Sequence, residues 1–382
     1  MEKRFYWLYV TVFINVISFG MIFPILPLFA SSFNASSFQV GMLTAVLSLA
    51  QFLGAPFAGR ISDRYGRKPV LVTAILISTI ALFVISSAHS LAVIFVGMFL
   101  LGIGGAGILP TALAYIADIT TGHDRSKYIS RVTGTFALGF MVGPVAGGIL
   151  SANSLSFPFL ISAFVSLINF IIIFIFLHET HHERDKKLLL KKGFINPKAL
   201  INALRGEFGI LFFLLFAWSF YISNFNLTIP FFTLDRFSYG AFENGIFFSF
   251  VGLIAGITQW FILPKIEKRI GDKKIILMGI IFLIIGQLIV PFSPIPLIFF
   301  SIFVFIIFGS ALLRPSLSSQ LSKKATEGQG TTMGLAFSFE SLGRVIGPLL
   351  IGLSITNFGL AAPFFLTALV LTVGLILYHK YE

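Results

Sequence analysis

Three charged residues lie inside long apolar stretches of this 382-residue sequence. Glu340 is about ten residues into a predicted membrane helix, which at 1.5 Å per residue is about 15 Å deep. Arg344 follows one helical turn later on the same face, and Arg314 lies in the preceding apolar stretch. An ionisable group at that depth is costly unless it faces protein or water, so it indicates function. We interpret Glu340 as a proton-titrating or cation-binding site tuned by Arg344 or Arg314. A structural Glu340–Arg344 pair is the alternative, and Arg314 could instead bind an anionic substrate.

The composition around these charges is that of an integral membrane protein. Hydrophobic residues make up 57% of the chain and charged residues 11%, which is too little charge for the surface of a soluble protein. Each apolar block is long enough to span a bilayer, and the blocks do not alternate as barrel strands do. The absence of cysteine excludes disulfides, cysteine zinc sites and thiol chemistry. The net charge of +12 comes mainly from basic residues in particular loops, so we expect no nucleic-acid partner.

Twelve membrane helices account for the apolar blocks, giving an all-α fold. The first six are predicted at residues 5–29, 40–58, 70–88, 91–117, 128–151 and 157–177. The second six are predicted at residues 208–232, 246–263, 275–292, 297–321, 331–355 and 362–378. A hydrophilic linker at 178–207 then separates a bundle at 1–177 from a bundle at 208–382. A cleaved signal peptide is the alternative for the first block, although that block is longer than a signal h-region.

The basic residues predict the orientation of the chain. Lysines and arginines recur in alternate loops, beginning with Lys3 and Arg4, whereas the opposite loops carry only Arg236. Basic loops remain on the cytoplasmic side. Both termini are therefore predicted to be cytoplasmic, in a multi-pass protein of the cell membrane with an even number of spans.

Landmarks in the two halves repeat in the same order. The matching landmarks are Gly66 and Gly271, Pro110 and Pro315, and the pairs Gly143-Pro144 and Gly347-Pro348. The separation is 205, 205 and 204 residues. Three matches in register predict two six-helix bundles related by a two-fold axis along the membrane normal. Transporters built in this way bind substrate near the midplane and alternate by rocking the bundles.

The loop after the second span reads GRISDRYGRK and resembles the signature loop of the major facilitator superfamily. The residues that carry this resemblance are Gly59, Asp63, Arg64, Gly66, Arg67 and Lys68. We expect Gly59 to allow two helices to approach closely and Asp63 to pair near a helix end. The resemblance implies a lock between the bundles that favours the outward-open state, with Asp118 as a partner of the loop. The alternative is a basic loop that only sets topology.

The fifth span contains GFMVGPVAGG and is similar to a motif of the drug/proton antiporter branch of that superfamily. The residues expected to pack or bend helices are Gly139, Gly143, Pro144, Gly147 and Gly148, with Gly347 and Pro348 in the second half. The resemblance implies alternating access and proton-coupled export of drug-like molecules by a monomer without a cofactor.

The sequence departs from the pattern of that branch at three positions. Met98 replaces an arginine often found in the fourth span, and Asn15 replaces an acid in the first. The second-half copy of the signature loop is degraded, with Lys268 opposite Asp63. These departures put the usual proton-coupling scheme in question.

Polar and aromatic residues within the spans are candidates for the substrate cavity. They are Asn15, Phe19, Gln51, Phe136, Phe140, Trp218, Tyr221, Asn224, Asn226 and Gln259. An aromatic, weakly polar cavity suits amphipathic or cationic drugs, or lipids. With 47 phenylalanines in the chain, most aromatic rings must instead face lipid or core.

Several other interpretations remain open. A facilitator of lipids, sugars or anionic metabolites would use the same fold, and a receptor would bind without flux. His178, Glu179 and His182 fit the H-E-x-x-H zinc-protease pattern. The pattern lies at the end of the sixth span, which argues against the alternative of an intramembrane metalloprotease, and no metal site is expected. The stretch 188–204 is either an interfacial helix or a solvated linker.

Overall fold

The computed structural model describes residues 2–120, 122–180, 197–324 and 329–381. Regular structure in these ranges is entirely helical. The helices of the first half are α1 (Glu2–Ile22), α2 (Leu26–Ser31), α3 (Ser37–Tyr65), α4 (Arg67–Ser86), α5 (Leu91–Ile119), α6 (Gly122–Leu150) and α7 (Phe157–Phe176). They are followed by α8 (Pro197–Arg205), α9 (Gly209–Phe237), α10 (Ala241–Ile257), α11 (Leu263–Ile289), α12 (Pro296–Lys324), α13 (Gln329–Phe358) and α14 (Ala362–Tyr381).

The first predicted span is interrupted rather than continuous. Helix α1 ends at Ile22, and α2 begins at Leu26. Pro24 lies in the gap, where its ring removes a backbone donor and collides with the carbonyl four residues earlier in a continuing helix. The single helix predicted over 5–29 is therefore two helices.

The loop predicted between 263 and 275 is also different. Residues Ala241–Phe292 form one helical run of 52 residues, joined through a π-helical turn at Thr258–Ile262. Within α11, Gly271 has φ 74° and ψ 164°, which breaks the helix at that residue. A continuous helix of that length would extend about 78 Å, far more than the roughly 30 Å of a bilayer core. The run is long enough for the two spans predicted there.

Nine helices in the described residues are long and apolar enough to cross a membrane. The 52-residue run is one of these nine. Two shorter apolar helices, Tyr6–Ile22 and Leu138–Leu150, coincide with the first and fifth predicted spans. Helix α8 covers the described end of the stretch predicted to be interfacial, and 188–196 lie outside the described residues.

The chain divides into two compact units. The first takes its described residues from 1–35, 46–192 and 240–249, and the second from 36–45, 193–239 and 250–382. The start of α3 thus belongs to the second unit, and the start of α10 belongs to the first.

Each unit has its own apolar interior. In the first unit, Leu8, Leu71, Tyr115 and Ile173 are each 0% exposed, and they bring α1, α4, α5 and α7 together. In the second unit the rings of Phe212 on α9 and Phe339 on α13 are both buried and stack with their centroids 5.3 Å apart. These interiors hold the helices that carry the charged clusters.

Candidate functional site

A carboxylate and two guanidinium groups meet inside the second unit. Glu340, on α13, is 4% exposed. Arg314, on α12, makes a two-point contact with it, because its Nε lies 3.2 Å from Oε1 and its Nη2 donates to Oε2 at 3.3 Å. Arg344, one turn along α13, places Nη1 3.7 Å from Oε2. The structure brings together all three residues that we expected to take part in coupling.

Aromatic and hydroxyl groups hold the arginines in place. The Arg314 guanidinium lies 5.6 Å from the ring centroid of Trp218, which is within cation–π range. Trp218 itself donates its indole N–H to the Ser310 hydroxyl at 3.0 Å. Helix α9 is thereby linked to α12 beside the carboxylate.

Arg344 is fixed separately. Its Nη2 donates to the Ser341 hydroxyl at 3.0 Å, and its guanidinium lies 5.4 Å from the Phe337 ring. The side chains of Arg314 and Arg344 are 45% and 32% exposed, whereas that of Glu340 is 5% exposed. With Glu340 ionised the three side chains together carry one excess positive charge, and a neutral Glu340 would leave two.

The signature loop of the first unit is organised around Arg67. The Arg67 side chain is 8% exposed, and its Nε donates to Asp118 Oδ2 at 2.8 Å. Its Nη1 donates to the Ser62 hydroxyl at 2.8 Å and also contacts the Asp63 carboxylate. Asp118, the partner suggested for this loop, therefore contacts Arg67 and joins the end of α5 to the start of α4.

Glu179 is a further residue of this loop region, and its role was not anticipated from the sequence. Its carboxylate accepts the backbone N–H of Arg67 at 2.9 Å and of Lys68 at 3.1 Å. These donors are at the first turn of α4, where helix N–H groups have no partner within the helix. Gly66, just before that turn, has φ 108°, and a Cβ there would collide with Glu179.

This contact gives Glu179 a structural role unrelated to zinc. His182 of the H-E-x-x-H pattern lies outside the described residues. Among the residues that are described, no group of His, Cys, Asp and Glu side chains is arranged to hold a metal ion.

Other residues of the signature loop contact aromatic rings or have no close neighbour among the described residues. Arg64 stacks over Tyr65 at 5.1 Å, and Lys68 lies 5.9 Å from the Phe174 ring. At Gly59 a Cβ would have no described heavy atom within 4 Å. Among the described residues no helix comes close to α3 at Gly59, and the close helix approach expected there stays a prediction.

The glycines of the fifth-span motif pack directly on α1. A Cβ at Gly143 would lie 2.7 Å from the Ile17 carbonyl oxygen and 2.9 Å from Gly20 Cα. A Cβ at Gly139 would lie 2.8 Å from Val16 Cβ, and one at Gly147 would lie 2.6 Å from the Met21 carbonyl. Contacts this close leave no room for a side chain between α6 and α1.

The two glycine-proline pairs meet glycines of other helices in the same way. In the first unit, a Cβ at Gly245 would collide with the Pro144 carbonyl. In the second unit, a Cβ at Gly41 would collide with the Pro348 carbonyl. Close contact also surrounds two more glycines of these motifs: Gly148 meets the Ala241 carbonyl at 3.0 Å and Gly347 meets Ser223 Cβ at 2.8 Å, both measured from an added Cβ.

Some cavity candidates of the first unit converge. A Cβ at Gly105 would lie 2.7 Å from Gln51 Nε2 and 3.3 Å from Phe19 Cζ. The Phe23 ring lies 6.2 Å from the Phe19 ring and 6.2 Å from the Phe140 ring. Half-buried Asn15 is on α1 as well, and the side chain of Phe136 lies outside the described part of α6.

The candidates of the second unit differ in accessibility. Asn226 and Trp218 are half-buried, and Gln259 is exposed within the π-helical turn. Tyr221 and Asn224 are only 3% and 1% exposed. Asn224 donates to Gln287 at 2.9 Å and accepts from Thr228 at 2.6 Å. The structure therefore places Asn224 in the packed interior, with its polar atoms already bonded.

The sequence profile of the Major Facilitator Superfamily matches residues 8–348 and 261–381. Multidrug resistance protein 2 of Bacillus subtilis (strain 168) is 27% identical over 372 residues, covering 95% of this chain and 91% of the relative. Tetracycline resistance protein, class C, of Escherichia coli is 30% identical over 350 residues, covering 89% and 87%. Quinolone resistance protein NorA of Staphylococcus aureus is 24% identical over 383 residues, covering 99% and 96%.

Solved structures resemble the chain over its full length. The human organic anion transporter MFSD10 (TETRAN) has a TM-score of 0.73 at 22% identity, covering 99% of both chains. A bacterial homologue of the human lysosomal transporter Spinster has a TM-score of 0.82 at 15% identity, covering 99% of this chain and 96% of its own. At these identities the likeness concerns the fold.

Proposed function

Because the chain belongs to the Major Facilitator Superfamily, and is a multi-pass membrane transporter of small molecules rather than an enzyme, we propose that it exports amphipathic, drug-like molecules in exchange for protons. The relatives matched over nearly their whole length are named for resistance to multiple drugs, tetracycline and quinolones. Export is the transport direction that confers resistance. The relatives support the direction and the class of substrate.

The proposed transporter has twelve spans in two six-helix bundles, at 1–177 and 208–382, with both termini cytoplasmic and the monomer as the working unit. The long helical run from Ala241 to Phe292 supports two spans, and two further apolar helices add to those of full length. The bundles would alternate access to the two sides of the membrane by rocking.

The Glu340 cluster is the observation that carries the proposal. Among the described residues, Glu340 is the one acidic residue that is buried, and it lies within an apolar helix. Its neutral form would give up the two-point contact with Arg314 and free that guanidinium for other partners. Proton binding would thereby change the charge and the hydrogen bonding of the site together, as a coupling residue requires.

Substrate binding would oppose proton binding at this site. A cationic or amphipathic substrate favours the ionised carboxylate, since protonation raises the local positive charge. Half-buried Trp218 offers an aromatic face beside Arg314. In the first unit, Phe19, Phe23 and Phe140 supply further aromatic surface. Binding from one side and proton uptake from the other would produce exchange.

Dye transport in proteoliposomes with an imposed proton gradient tests this proposal. We expect ethidium transport against its gradient by the wild type and none by Glu340→Gln, which cannot titrate. Dye exchange at equal concentrations should persist in Glu340→Gln, because exchange needs no net proton movement. The matched control is Asp235→Asn, which removes an exposed acid of α9. Unchanged uphill transport by Glu340→Gln would refute the assignment of Glu340.

A double variant that neutralises Glu340 together with Arg314 controls for misfolding of Glu340→Gln. Glu340→Gln alone leaves Arg314 and Arg344 without a carboxylate between them. The double variant Glu340→Gln with Arg314→Gln keeps the cluster at one net positive charge. If the double variant folds and still transports dye uphill, Glu340 is not the coupling residue. Binding without any flux in the wild type would instead indicate a receptor.

Transport of an organic anion is a second candidate function. Arg314 is 45% exposed on its side chain, and the cluster has one excess positive charge. A structural neighbour is itself named as an organic anion transporter. In that case anionic dyes should compete with the substrate, and Arg314→Gln should lose affinity that Arg314→Lys keeps. If only cationic dyes compete with the substrate, transport of an organic anion is excluded.

A further inference from the structure

An ion pair at one end of the second unit repeats that of the first unit with the charges exchanged. Lys323 Nζ lies 2.8 Å from Asp272 Oδ2, and Arg67 Nε lies 2.8 Å from Asp118 Oδ2. Asp272 follows Arg67 by 205 residues, and Lys323 follows Asp118 by the same 205. This is also the separation between Gly66 and Gly271 and between Pro110 and Pro315. The repeat therefore keeps the pair but reverses its polarity.

The backbone around both pairs has the same conformation. Gly66 precedes Arg67 with φ 108° and ψ 163°. Gly271 precedes Asp272 with φ 74° and ψ 164°. Both values of φ are in a region that favours glycine. The two turns thus present their next residue in equivalent ways, and only the sign of its charge differs.

Burial follows position rather than charge. Arg67 is 8% exposed and Asp118 is 21% exposed. Asp272 is 10% exposed, while Lys323 is 62% exposed. In each unit the residue after the turn is the buried member, and the residue at the end of the neighbouring helix is the accessible one.

Further polar contacts support the second pair. Ser319 donates its hydroxyl to Asp272 Oδ2 at 3.1 Å, and Lys323 also donates to Glu267 Oε1 at 3.2 Å. The other carboxylate oxygen of Asp272 is buried and accepts no hydrogen bond from the described residues. Lys323 is therefore a cation that compensates a largely buried carboxylate.

We propose that Asp272 and Lys323 form a second ion-pair latch, which fixes the turn at Gly271 to the end of α12 as Arg67 and Asp118 fix the turn at Gly66 to α5. Both are positioning residues. The latch keeps this end of the C-terminal helices together, so that they move as one body during transport. Transport requires this latch as well as that of the first unit, in either polarity.

Reversing the pair separates this role from a simple need for one residue. Lys323→Met leaves Asp272 buried without its cation, whereas Asp272→Asn leaves an exposed lysine that still contacts Glu267. An uncompensated charge costs more when it is buried than when it is exposed. We expect the maximal transport rate to fall about tenfold in Lys323→Met and about threefold in Asp272→Asn, with KM unchanged. Asp272→Arg combined with Lys323→Asp copies the first unit and should restore the rate to within about threefold of wild type.

Exposed Lys274 provides the matched control, since Lys274→Met removes a lysine of the same segment. Equal rates for Lys323→Met and Lys274→Met would overturn the latch. A reversed pair no better than Lys323→Asp alone would also overturn it. If Lys323→Met does not fold, the comparison of the reversed pair with Lys323→Asp decides, because only an ion pair lets one change rescue the other.

A distance measurement gives a readout independent of activity. The chain has no cysteine, so spin labels can be attached at Ile270→Cys and Lys324→Cys without background. The distance distribution between them should broaden in Asp272→Asn and narrow again in the reversed pair. A distribution that is identical in all variants would contradict a latch that holds these segments together. Because this experiment needs no substrate, its outcome is independent of whether protons drive export.

Discussion

Replacing Gly143 by alanine tests the packing of α6 on α1. The added Cβ would lie 2.7 Å from the Ile17 carbonyl oxygen and 2.9 Å from Gly20 Cα. Both atoms are backbone, so no side chain can rotate away and the helices must separate. Forcing an extra carbon into a packed interior costs about 1–3 kcal/mol. We expect Gly143→Ala to lower the free energy of unfolding by that amount.

Gly59→Ala is the matched control, because it makes the same chemical change in another helix. A Cβ at Gly59 has no described heavy atom within 4 Å. Without a collision, alanine stabilises a helix relative to glycine by about 0.5–1 kcal/mol. The two variants should therefore differ by about 1.5–4 kcal/mol, with opposite signs relative to wild type.

Unfolding by SDS titration in mixed micelles measures this difference, and uphill dye transport measured in parallel reports on function. Equal stability of the two variants would refute the close approach of α6 and α1. Destabilisation by Gly59→Ala would instead restore the close helix approach that the signature loop suggests at that residue.

Three further variants test other contacts. Glu179→Gln should lower the unfolding free energy by about 1 kcal/mol, because a neutral group accepts the first N–H groups of α4 less strongly; an unchanged SDS midpoint would contradict this contact. Gly66→Ala should cost about 1–3 kcal/mol in the same titration, since alanine resists φ 108° and its Cβ meets Glu179; wild-type stability would contradict that strain. Asn224→Leu should cost about 1–3 kcal/mol by leaving Gln287 unpaired without changing the KM for dye, whereas a raised KM at unchanged stability would place Asn224 on the substrate path.

The helical class of the fold could be predicted because long apolar blocks permit few structures in a bilayer. The interruption of the first span at Pro24 was harder to predict from the sequence, since the apolar block continues through this residue. Between 263 and 275 the prediction was wrong in the opposite sense, because charged residues suggested a loop where the chain is helical. There the chain remains helical up to Gly271, because charges at a helix end do not prevent helix formation.

The candidate site was predictable in part, for a physical reason. Charge in an apolar helix is conspicuous, so Glu340, Arg344 and Arg314 could be identified without coordinates. Glu179 was hidden, because its role depends on backbone N–H groups more than 100 residues away.

The ion pair of the second unit was not recognised in the sequence because its two charges are exchanged relative to those of the first unit. The second-half loop was interpreted as degraded because Lys268 stands opposite Asp63. The residue that matters is Asp272, which takes the place of Arg67, and its partner Lys323 belongs to another helix. A motif comparison scores a reversed pair as two mismatches, whereas the coordinates show an intact contact.

Proton release on substrate binding tests the central claim most directly. Purified transporter in weakly buffered detergent solution is mixed with ethidium at a series of pH values, and the bulk pH is followed with an indicator dye. We expect dye binding to release protons from the wild type and from Asp235→Asn, and we expect Glu340→Gln to bind dye without release. Equal release from Glu340→Gln, or binding by the wild type without release at any pH, would contradict competition between substrate and proton at this carboxylate.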